Sequence, residues 1–165
     1  MTQTIEIREL RPGDDHHLVD IALAAWAPIY EAYKKELGEE LFDFLHADWP
    51  QRKAEQILAV CKADEPGTVL VAYENLRVAG FVSFYPHAPK TGMAQIGNNA
   101  VHPDFQRRGI AKMMYRAVFE CLRNRGIKYV KVRTGGDPAH LAARKAYEGV
   151  GFNIELPVVE YFRHL

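Results

Sequence analysis

Between Asn98 and Lys112 the chain contains a run of residues suited to binding a phosphate group. A strand-like stretch ends near Val101, a proline and an aspartate interrupt it, and good helix formers begin around Arg107. At such a turn the first backbone N–H groups of the helix have no partner inside it, and the helix dipole favours negative charge there. The sequence therefore predicts a phosphate-binding turn over Gln106 to Lys112.

Within this turn, two small residues and two cations have separate roles. Gly109 lets a pyrophosphate approach the backbone, and Ala111 is small for the same reason. Arg107 and Arg108 can add charge-assisted contacts, although paired arginines at a helix start are also typical of a solvated face. The residues expected to bind the anion are Gln106, Arg107, Arg108, Gly109, Ile110, Ala111 and Lys112.

A second motif lies at the end of a later predicted helix, where residues 147–152 read Tyr-Glu-Gly-Val-Gly-Phe. With both motifs at this separation, the sequence resembles the GNAT family of N-acetyltransferases. In that family a Gln/Arg-x-x-Gly-x-Gly/Ala motif binds the pyrophosphate of acetyl-CoA, and a later tyrosine serves the thiol. The resemblance covers most of the chain, from Ile5 to about Leu165, and implies acetyl-CoA as co-substrate.

The resemblance also implies a role for the strand before the turn. In the family this strand carries a bulge, splays away from the fifth strand and pairs its free backbone groups with pantetheine. Here Asn99, Ala100 and Val101 would do so, and the Val101 N–H would hold the thioester oxygen. Gly97 would tolerate the distortion, or else only marks tight packing.

By the same resemblance, Tyr147 is the expected general acid toward the CoA sulfur. A phenol with a pKa of about 10 stays protonated at neutral pH. The alternative is a tyrosine that caps the core at a helix end. Many members carry Asn seven residues earlier, where this chain has His140. That imidazole either keeps one pantetheine contact, which becomes pH-dependent, or is a solvated residue of the first helical turn.

The general base has no clear candidate in the sequence. Asn98 and Asn99 lie near the expected acceptor site, but an amide is not basic and would only orient an amine or a water. Members that acetylate the N-terminal alanine of a ribosomal protein have Glu on the fifth strand where this chain has Lys131, which argues against that substrate. A water chain would serve, and the side chains considered as bases are His102, Asp137 and Glu160.

Aromatic residues are expected to line the acceptor pocket between the first two helices, the fourth strand and a C-terminal hairpin. Such a pocket would suit an apolar or cationic amine, while the alternative for each aromatic residue is ordinary core packing. The residues expected to bind substrate are Trp26, Tyr30, Tyr33, Phe84, Asn98 and Tyr161, with Tyr85 nearby. The adjacent pair His16 and His17 is not spaced for a metal, and no metal is expected.

The composition narrows the function further. The chain has 165 residues, with 21 Lys plus Arg and 21 Asp plus Glu, so its formal net charge is zero. Nothing therefore indicates binding to nucleic acid or to an anionic membrane. The first ten residues do not resemble a secretory signal, and no apolar run approaches the length of a membrane span.

Cys61 and Cys121 are expected to be free thiols in a reducing cytoplasm, away from both motifs. Direct attack in a ternary complex is therefore favoured over an acyl-enzyme.

Hydrophobic periodicity places the elements that carry these motifs. Helices are expected from Leu18 to about Leu37, from Leu41 to about Ala63 with a break or restart at Pro50, from Arg107 to about Asn124 and from Ala139 to Gly149. Strands are expected around Ile5–Ile7, at Thr68–Glu74 and Val78–Tyr85 flanking a hairpin, and at Met93–Val101, Tyr129–Thr134, Phe152–Glu155 and Val158–Phe162.

Together these elements predict an α/β (α+β) domain over residues 1–165, with a mixed central sheet of about seven strands flanked by helices and a splayed fourth and fifth strand. The expected function is acetyl transfer from acetyl-CoA to a primary amine of a small molecule or a protein, by a cytoplasmic monomer or homodimer. One alternative is a non-catalytic acyl-CoA sensor, which would keep the phosphate-binding turn. Another is an interaction domain in which the motif is accidental.

Overall fold

The computed structural model describes residues 4–63, 68–86 and 92–165, and in it five strands form one mixed sheet in the order β1-β2-β3-β4-β5. Neighbours from β1 to β4 are antiparallel, and β5 runs parallel to β4. The expected mixed α/β class is confirmed. The strands are β1 (Ile5–Glu9), β2 (Val69–Glu74), β3 (Arg77–Pro86), β4 (Met93–Val101) and β5 (Tyr129–Val132).

Helices pack on both faces of this sheet, and two clusters of buried side chains result. The helices are α1 (Asp15–Leu37), α2 (Glu39–His46), α3 (Trp49–Cys61), α4 (Ile110–Asn124) and α5 (Leu141–Glu148), with short 3-10 turns at Pro103–Phe105 and Pro138–His140. Leu18 of α1 and Ile57 of α3 lie in one cluster, and Met114 of α4 lies in the other. All of β2 is buried because its alternating side chains contribute to both clusters.

Local backbone chemistry explains where the elements begin and end. Asn75 adopts φ +49° in the β2–β3 hairpin, a conformation that asparagine tolerates, and Leu76 also has a positive φ of +69°. The predicted second helix is two helices, because α3 restarts with Pro50 in its first turn. Arg107 has φ +63°, so α4 begins only at Ile110, three residues later than expected.

The terminal segment, residues 153–165, does not form the predicted antiparallel pair. It contains neither helix nor strand, and its residues are exposed. The sheet therefore has five strands among the described residues, and the expectation of about seven is wrong. Apolar alternation and β-branched residues favour a strand, but a strand needs a partner for its backbone groups, and this segment pairs with no described strand.

The loop expected at 64–67 and residues 87–91 of the connection before β4 lie outside the described residues. In the part of the chain that the structure does describe, no helix is both long and apolar enough to cross a membrane.

Candidate active site

The phosphate-binding turn presents an open helix N-terminus. Gly109 adopts the left-handed conformation, φ +77°, immediately before α4. A Cβ built there meets no other atom within 4 Å, so the space in front of the turn is open to an anion. The N–H groups of Ile110, Ala111 and Lys112 lie in the first turn of α4, where no preceding helical carbonyl can accept them. This arrangement suits a pyrophosphate.

The sequence suggested that the side chains around this turn face the open space in front of it, but they do not all do so, because some have partners elsewhere in the fold. Gln106 donates from Nε2 to the Val101 carbonyl at 3.1 Å, which joins the turn to the end of β4. Arg108 Nη1 lies 2.7 Å from each carboxylate oxygen of the buried Glu74 on β2. Arg107 is exposed. The expected phosphate contact of Arg108 thus has a competing ion pair that the sequence did not reveal.

A bulge in β4 lies at Gly97 and Asn98. The β3–β4 register changes from Phe84 opposite Ile96 to Val82 opposite Asn99, so two residues of β4 face one of β3. A Cβ on Gly97 would collide with the Tyr85 ring and the Ser83 hydroxyl. Glycine is therefore required there both by the bulge and by close packing.

Beyond this bulge, β4 separates from β5. Only Met93–Ile96 pair with β5, which ends at Val132 opposite Ile96. Residues 97–101 of β4 keep β3 on one edge and have no β5 partner among the described residues. The splay between the fourth and fifth strands has the form that the resemblance implied.

Backbone directions alternate along this open edge. His102 N–H donates to the Ala79 carbonyl on β3 at 2.9 Å, and the Ala100 carbonyl lies against Gly80 on the same side. Because N–H and C=O groups alternate between the two edges of a strand, the groups of Asn99 and Val101 face the open edge. Three residues were expected to bind pantetheine through their backbone. Asn99 and Val101 point their backbone groups to the open edge, whereas those of Ala100 point toward β3.

Three side chains meet behind this edge. Asn99 Nδ2 donates to the Tyr147 hydroxyl at 3.1 Å, and Tyr115 donates from its hydroxyl to Asn99 Oδ1 at 2.7 Å. Tyr147 and Tyr115 are buried, and burial raises the pKa of both phenols, so both remain protonated at neutral pH. The contact of Asn99 with Tyr147 acts in the opposite direction on the Tyr147 pKa without cancelling the rise.

This cluster fixes the direction of the Tyr147 proton. The second Nδ2 hydrogen of Asn99 donates to the Gly97 carbonyl at 3.1 Å, so the amide cannot be reversed without losing that bond. Since Nδ2 faces Tyr147, the Tyr147 oxygen accepts at 3.1 Å. The Tyr147 hydroxyl itself makes a long 3.5 Å contact with Asn99 Oδ1, an oxygen that already accepts from Tyr115 at 2.7 Å, so its proton is weakly held.

Sequence reasoning missed Tyr115. It is 2% exposed in the inward stripe of α4, together with Met114 and Val118. Its spacing of three residues from Val118 and seven from Leu122 was the available signal, because a tyrosine in an apolar stripe needs a partner for its hydroxyl.

A family model described as the acetyltransferase (GNAT) family matches residues 26–152, which include the phosphate-binding turn, the splayed edge and Tyr147. This chain belongs to the GNAT family. A [ribosomal protein bS18]-alanine N-acetyltransferase of Salmonella typhimurium is 39% identical over 62 residues. The matched stretch is 36% of this GNAT chain and spans only 39% of that relative's length.

Solved structures share the fold of this GNAT chain at low sequence identity. A PaiA N-acetyltransferase from Thermoplasma acidophilum in complex with coenzyme A aligns with a TM-score of 0.74 and 20% identity, over 92% of this chain and 91% of that one. An aminoglycoside N-acetyltransferase, AAC(6')-Iy in complex with CoA, aligns with a TM-score of 0.65 and 17% identity, over 100% and 98%. The ribosomal-protein-S18-alanine N-acetyltransferase from Escherichia coli has a TM-score of 0.64 and 18% identity, over 93% and 80%.

The residues predicted to bind the acceptor do not all lie together. Those on α1 lie on the face of the sheet opposite α4, and the others lie elsewhere. Tyr30 stacks on Trp49 with ring centroids 4.3 Å apart, and Tyr33 lies beside it at 5.8 Å. Phe84 is fully buried in the core under α4, and Tyr161 is 91% exposed on the terminal segment. Trp26, Tyr30 and Tyr33 on α1 therefore remain as half-buried aromatics on the acceptor side, while Phe84 has no surface to offer a substrate.

The three side chains considered as bases have other partners or positions. His102 Nδ1 accepts the Asp104 N–H at 3.2 Å and caps a 3-10 turn. Asp137 lies 2.7 Å from His140 Nδ1. Burial acts to raise the pKa of this carboxyl, but His140 and the Ala139 N–H lower it below its usual value, so it is a weak base. Glu160 is exposed on the terminal segment.

His140 has a structural role in addition to any contact with pantetheine. Its side chain is 13% exposed and is held by Asp137, and a Cβ on Gly135 would collide with both residues. The solvated first-turn alternative therefore does not describe this residue.

Proposed function

We propose that this chain is a single-domain acetyl-CoA-dependent N-acetyltransferase that transfers the acetyl group to a primary amine by direct attack in a ternary complex. The observation that carries the proposal is the Tyr147 hydroxyl, which accepts from Asn99 Nδ2 at 3.1 Å while its own proton makes a long 3.5 Å contact with Asn99 Oδ1 that a thiolate can replace. It lies behind the open edge of β4, near the splay that would admit a thioester. Family membership and the open phosphate-binding turn support the same reaction.

In this proposal each part of the site has one task. The turn at Gln106–Lys112 holds the pyrophosphate, and the backbone of Asn99 and Val101 pairs with pantetheine. The Val101 N–H polarises the thioester carbonyl, which acts as an oxyanion contact. Tyr147 protonates the leaving thiolate, because a phenol whose pKa is raised keeps its proton at neutral pH until negative charge develops on the sulfur.

Direct attack is favoured because the Cys61 thiol stays protonated at neutral pH. Burial, with smaller contributions from Asp15 and Asp14, raises the pKa of the Cys61 thiol to about 11. Such a thiol is rarely ionised at neutral pH and makes a poor nucleophile. An acyl-enzyme on Cys61 is therefore disfavoured, and the acceptor amine attacks the thioester itself.

The acceptor is an amine of a small molecule or a protein. Relatives of the two kinds named above modify a ribosomal protein alanine and an aminoglycoside. The half-buried aromatic side chains on α1 suit an apolar or cationic amine. Lys131 is exposed on β5. The resemblance implies Glu at this place in members that acetylate a ribosomal N-terminal alanine, so that acceptor is disfavoured.

The proposal is tested by release of CoA thiol from acetyl-CoA with polyamines, amino acids, aminoglycosides and short peptides, alongside calorimetry with CoA. Turnover with one class establishes the transferase and its acceptor. Tight CoA binding without turnover on any of them favours an acyl-CoA sensor, and no CoA binding refutes the proposal.

We further propose that the enzyme works in the cytoplasm as a homodimer. Cys61 and Cys121 are free thiols, in keeping with a reducing compartment. Ile154, Leu156 and Tyr161 of the terminal segment are each about nine-tenths exposed, and β5 is the last strand of the described sheet. The edge of β5, with the apolar terminal segment beside it, is suited to pairing with the terminal segment of a second copy.

A further inference from the structure

Lys53 is a buried amine for which no local sequence pattern predicts a role. It lies on α3, is 9% exposed, and reaches β4 through a 3.3 Å hydrogen bond from Nζ to Asn98 Oδ1. A second hydrogen bond of 3.1 Å joins Nζ to Gln56 Oε1. Trp26 on α1 places its ring centroid 4.3 Å from Nζ. Lys53 thus contacts two of the residues expected to bind the acceptor, Trp26 and Asn98.

No carboxylate among the described residues balances this amine. The groups that face Nζ from α1, α3 and β4 are an indole and two amides, none of which titrates. The carboxylate that is buried among the described residues, Glu74, is paired with Arg108. A buried cation without a partner is strongly unfavourable, and burial lowers the pKa of Lys53.

The hydrogen-bond pattern fits the uncharged form. A neutral primary amine has two N–H groups and one lone pair. The two amide oxygens of Gln56 and Asn98 take the two hydrogens, and the lone pair remains. When the amine gains a proton, the face of Trp26 stabilises the resulting cation.

Lys53 and Tyr147 lie on opposite faces of the sheet, at the same bulge of β4. Asn98 and Asn99 are consecutive residues at the bulge, and their side chains leave β4 on opposite faces, toward Lys53 on α3 and toward Tyr147 on α5 respectively. The open edge of β4 lies between these two groups. An acceptor that approaches from the α1 and α3 face would meet Lys53, while the sulfur would meet Tyr147.

We propose that Lys53 is the general base of the transferase, accepting the proton of the attacking amine; this rests on the function proposed above. As the neutral acceptor amine forms the C–N bond, its nitrogen becomes positively charged and gives one proton to the Lys53 lone pair. The C–S bond breaks, and the Tyr147 hydroxyl gives its proton to the thiolate. Transfer from the Lys53 ammonium through solvent to the Tyr147 phenolate then restores both groups, so the products are the acetylated amine and CoA thiol.

The decisive experiment compares Lys53→Met with Lys62→Met, an exposed lysine just after α3. Lys53→Met is expected to lower kcat by about 10²–10⁴-fold and to remove the acidic limb of the kcat pH profile. Its affinity for CoA is expected to stay unchanged, and its urea midpoint to equal or exceed that of the wild type, because a buried polar amine is replaced by an apolar side chain of similar length. Lys62→Met should behave as wild type. Full activity of Lys53→Met would overturn the proposal.

A second measurement does not depend on turnover. In the protein with isotope-labelled lysine, the Lys53 side chain should titrate by NMR below the ordinary lysine value of 10.5. Titration at or above that value would overturn the proposal even in an active enzyme. An acetyl mass increment on Lys53 after incubation with acetyl-CoA alone would also contradict it, because Lys53 would then be an acceptor. Absence of turnover in the wild type would refute the transferase, while the titration would still test Lys53.

Discussion

Asn99 Nδ2 donates a 3.1 Å hydrogen bond to the Tyr147 hydroxyl across 48 residues of sequence. The same amide is anchored by Gly97 and accepts from Tyr115. Tyr147 is therefore an oriented proton donor, whereas an unconstrained phenol at a helix end would sample several partners. The first two predictions follow from this contact.

Tyr147→Phe is expected to lower kcat by about 10²–10⁴-fold with little change in CoA affinity. The ring still fills its site in the core, so the fold should persist. Steady-state kinetics and calorimetry with CoA measure the two quantities, and Tyr129→Phe, at a site 65% exposed on β5, is the matched control. Full activity of Tyr147→Phe would remove the residue from the mechanism.

Tyr115→Phe is expected to lower kcat by about fivefold to tenfold, which is the effect of one neutral hydrogen bond. Without the Tyr115 hydroxyl, the side-chain oxygen Oδ1 of Asn99 becomes available to accept the Tyr147 proton, which then competes with proton transfer to the sulfur. The Michaelis constant for acetyl-CoA should not change. The same substitution in a Tyr147→Phe background should have no further effect on kcat. Additive losses in this double-mutant cycle would show that Tyr115 acts only on the fold.

Gly109→Asp is expected to weaken CoA binding by about 10²-fold or more, because a carboxylate would face the pyrophosphate. The left-handed backbone also makes the substitution destabilising, by about 1–2 kcal/mol. Gly126→Asp is the control, since Gly126 has a similar φ of +73° and equally open space at the other end of α4. Equal CoA affinities of the two variants would contradict a phosphate site at the turn.

Asp137→Asn is expected to destabilise the fold by about 1 kcal/mol at neutral pH, since it removes a partly exposed charged contact to His140. The folded pKa of Asp137 is lowered from 3.8. Its contribution is therefore fully present above that value and is lost as pH falls through the lower folded pKa. Urea unfolding at neutral and strongly acidic pH should show the difference from wild type vanish in acid, and exposed Asp20→Asn serves as control. A difference that persisted in acid would point to a packing effect.

Val158→Asp together with Phe162→Asp is expected to convert a dimer into a monomer. Both side chains are more than half exposed in the terminal segment, 71% and 53% respectively, and charges would disfavour their burial against a second copy. Light scattering after size exclusion measures the mass, with Asn153→Asp as a charge control in the same segment. A wild-type protein that is monomeric at all concentrations tested would refute the dimer.

Local patterns in the sequence predicted much of the site. Gly109 adopts a positive φ at the turn, and Gly97 lies in a β4 bulge. Tyr147 lies at the end of its helix. Each of these features depends on residues within a few positions of one another, whose types and spacing are visible in the chain.

Partners distant in sequence could not be predicted in this way. Arg108 was expected at a phosphate and pairs with Glu74, 34 residues away. The predicted terminal strands did not form, because a strand depends on a neighbour as well as on its own composition. Phe84 was expected at a substrate and is core, since the face of a strand is decided by the register and by the bulge.

The sequence by itself determined the family, the helical and strand periods, and the positions of the phosphate-binding turn and of Tyr147. Only the tertiary structure decided that Asn99 orients Tyr147 and that Lys53 meets Asn98 across 45 residues, with no balancing carboxylate in the described parts of the chain. The physical reason is that propensities and turns arise from near neighbours. Burial and the choice of hydrogen-bond partner arise only when β4 is packed between α1 and α3 on one face and α4 and α5 on the other.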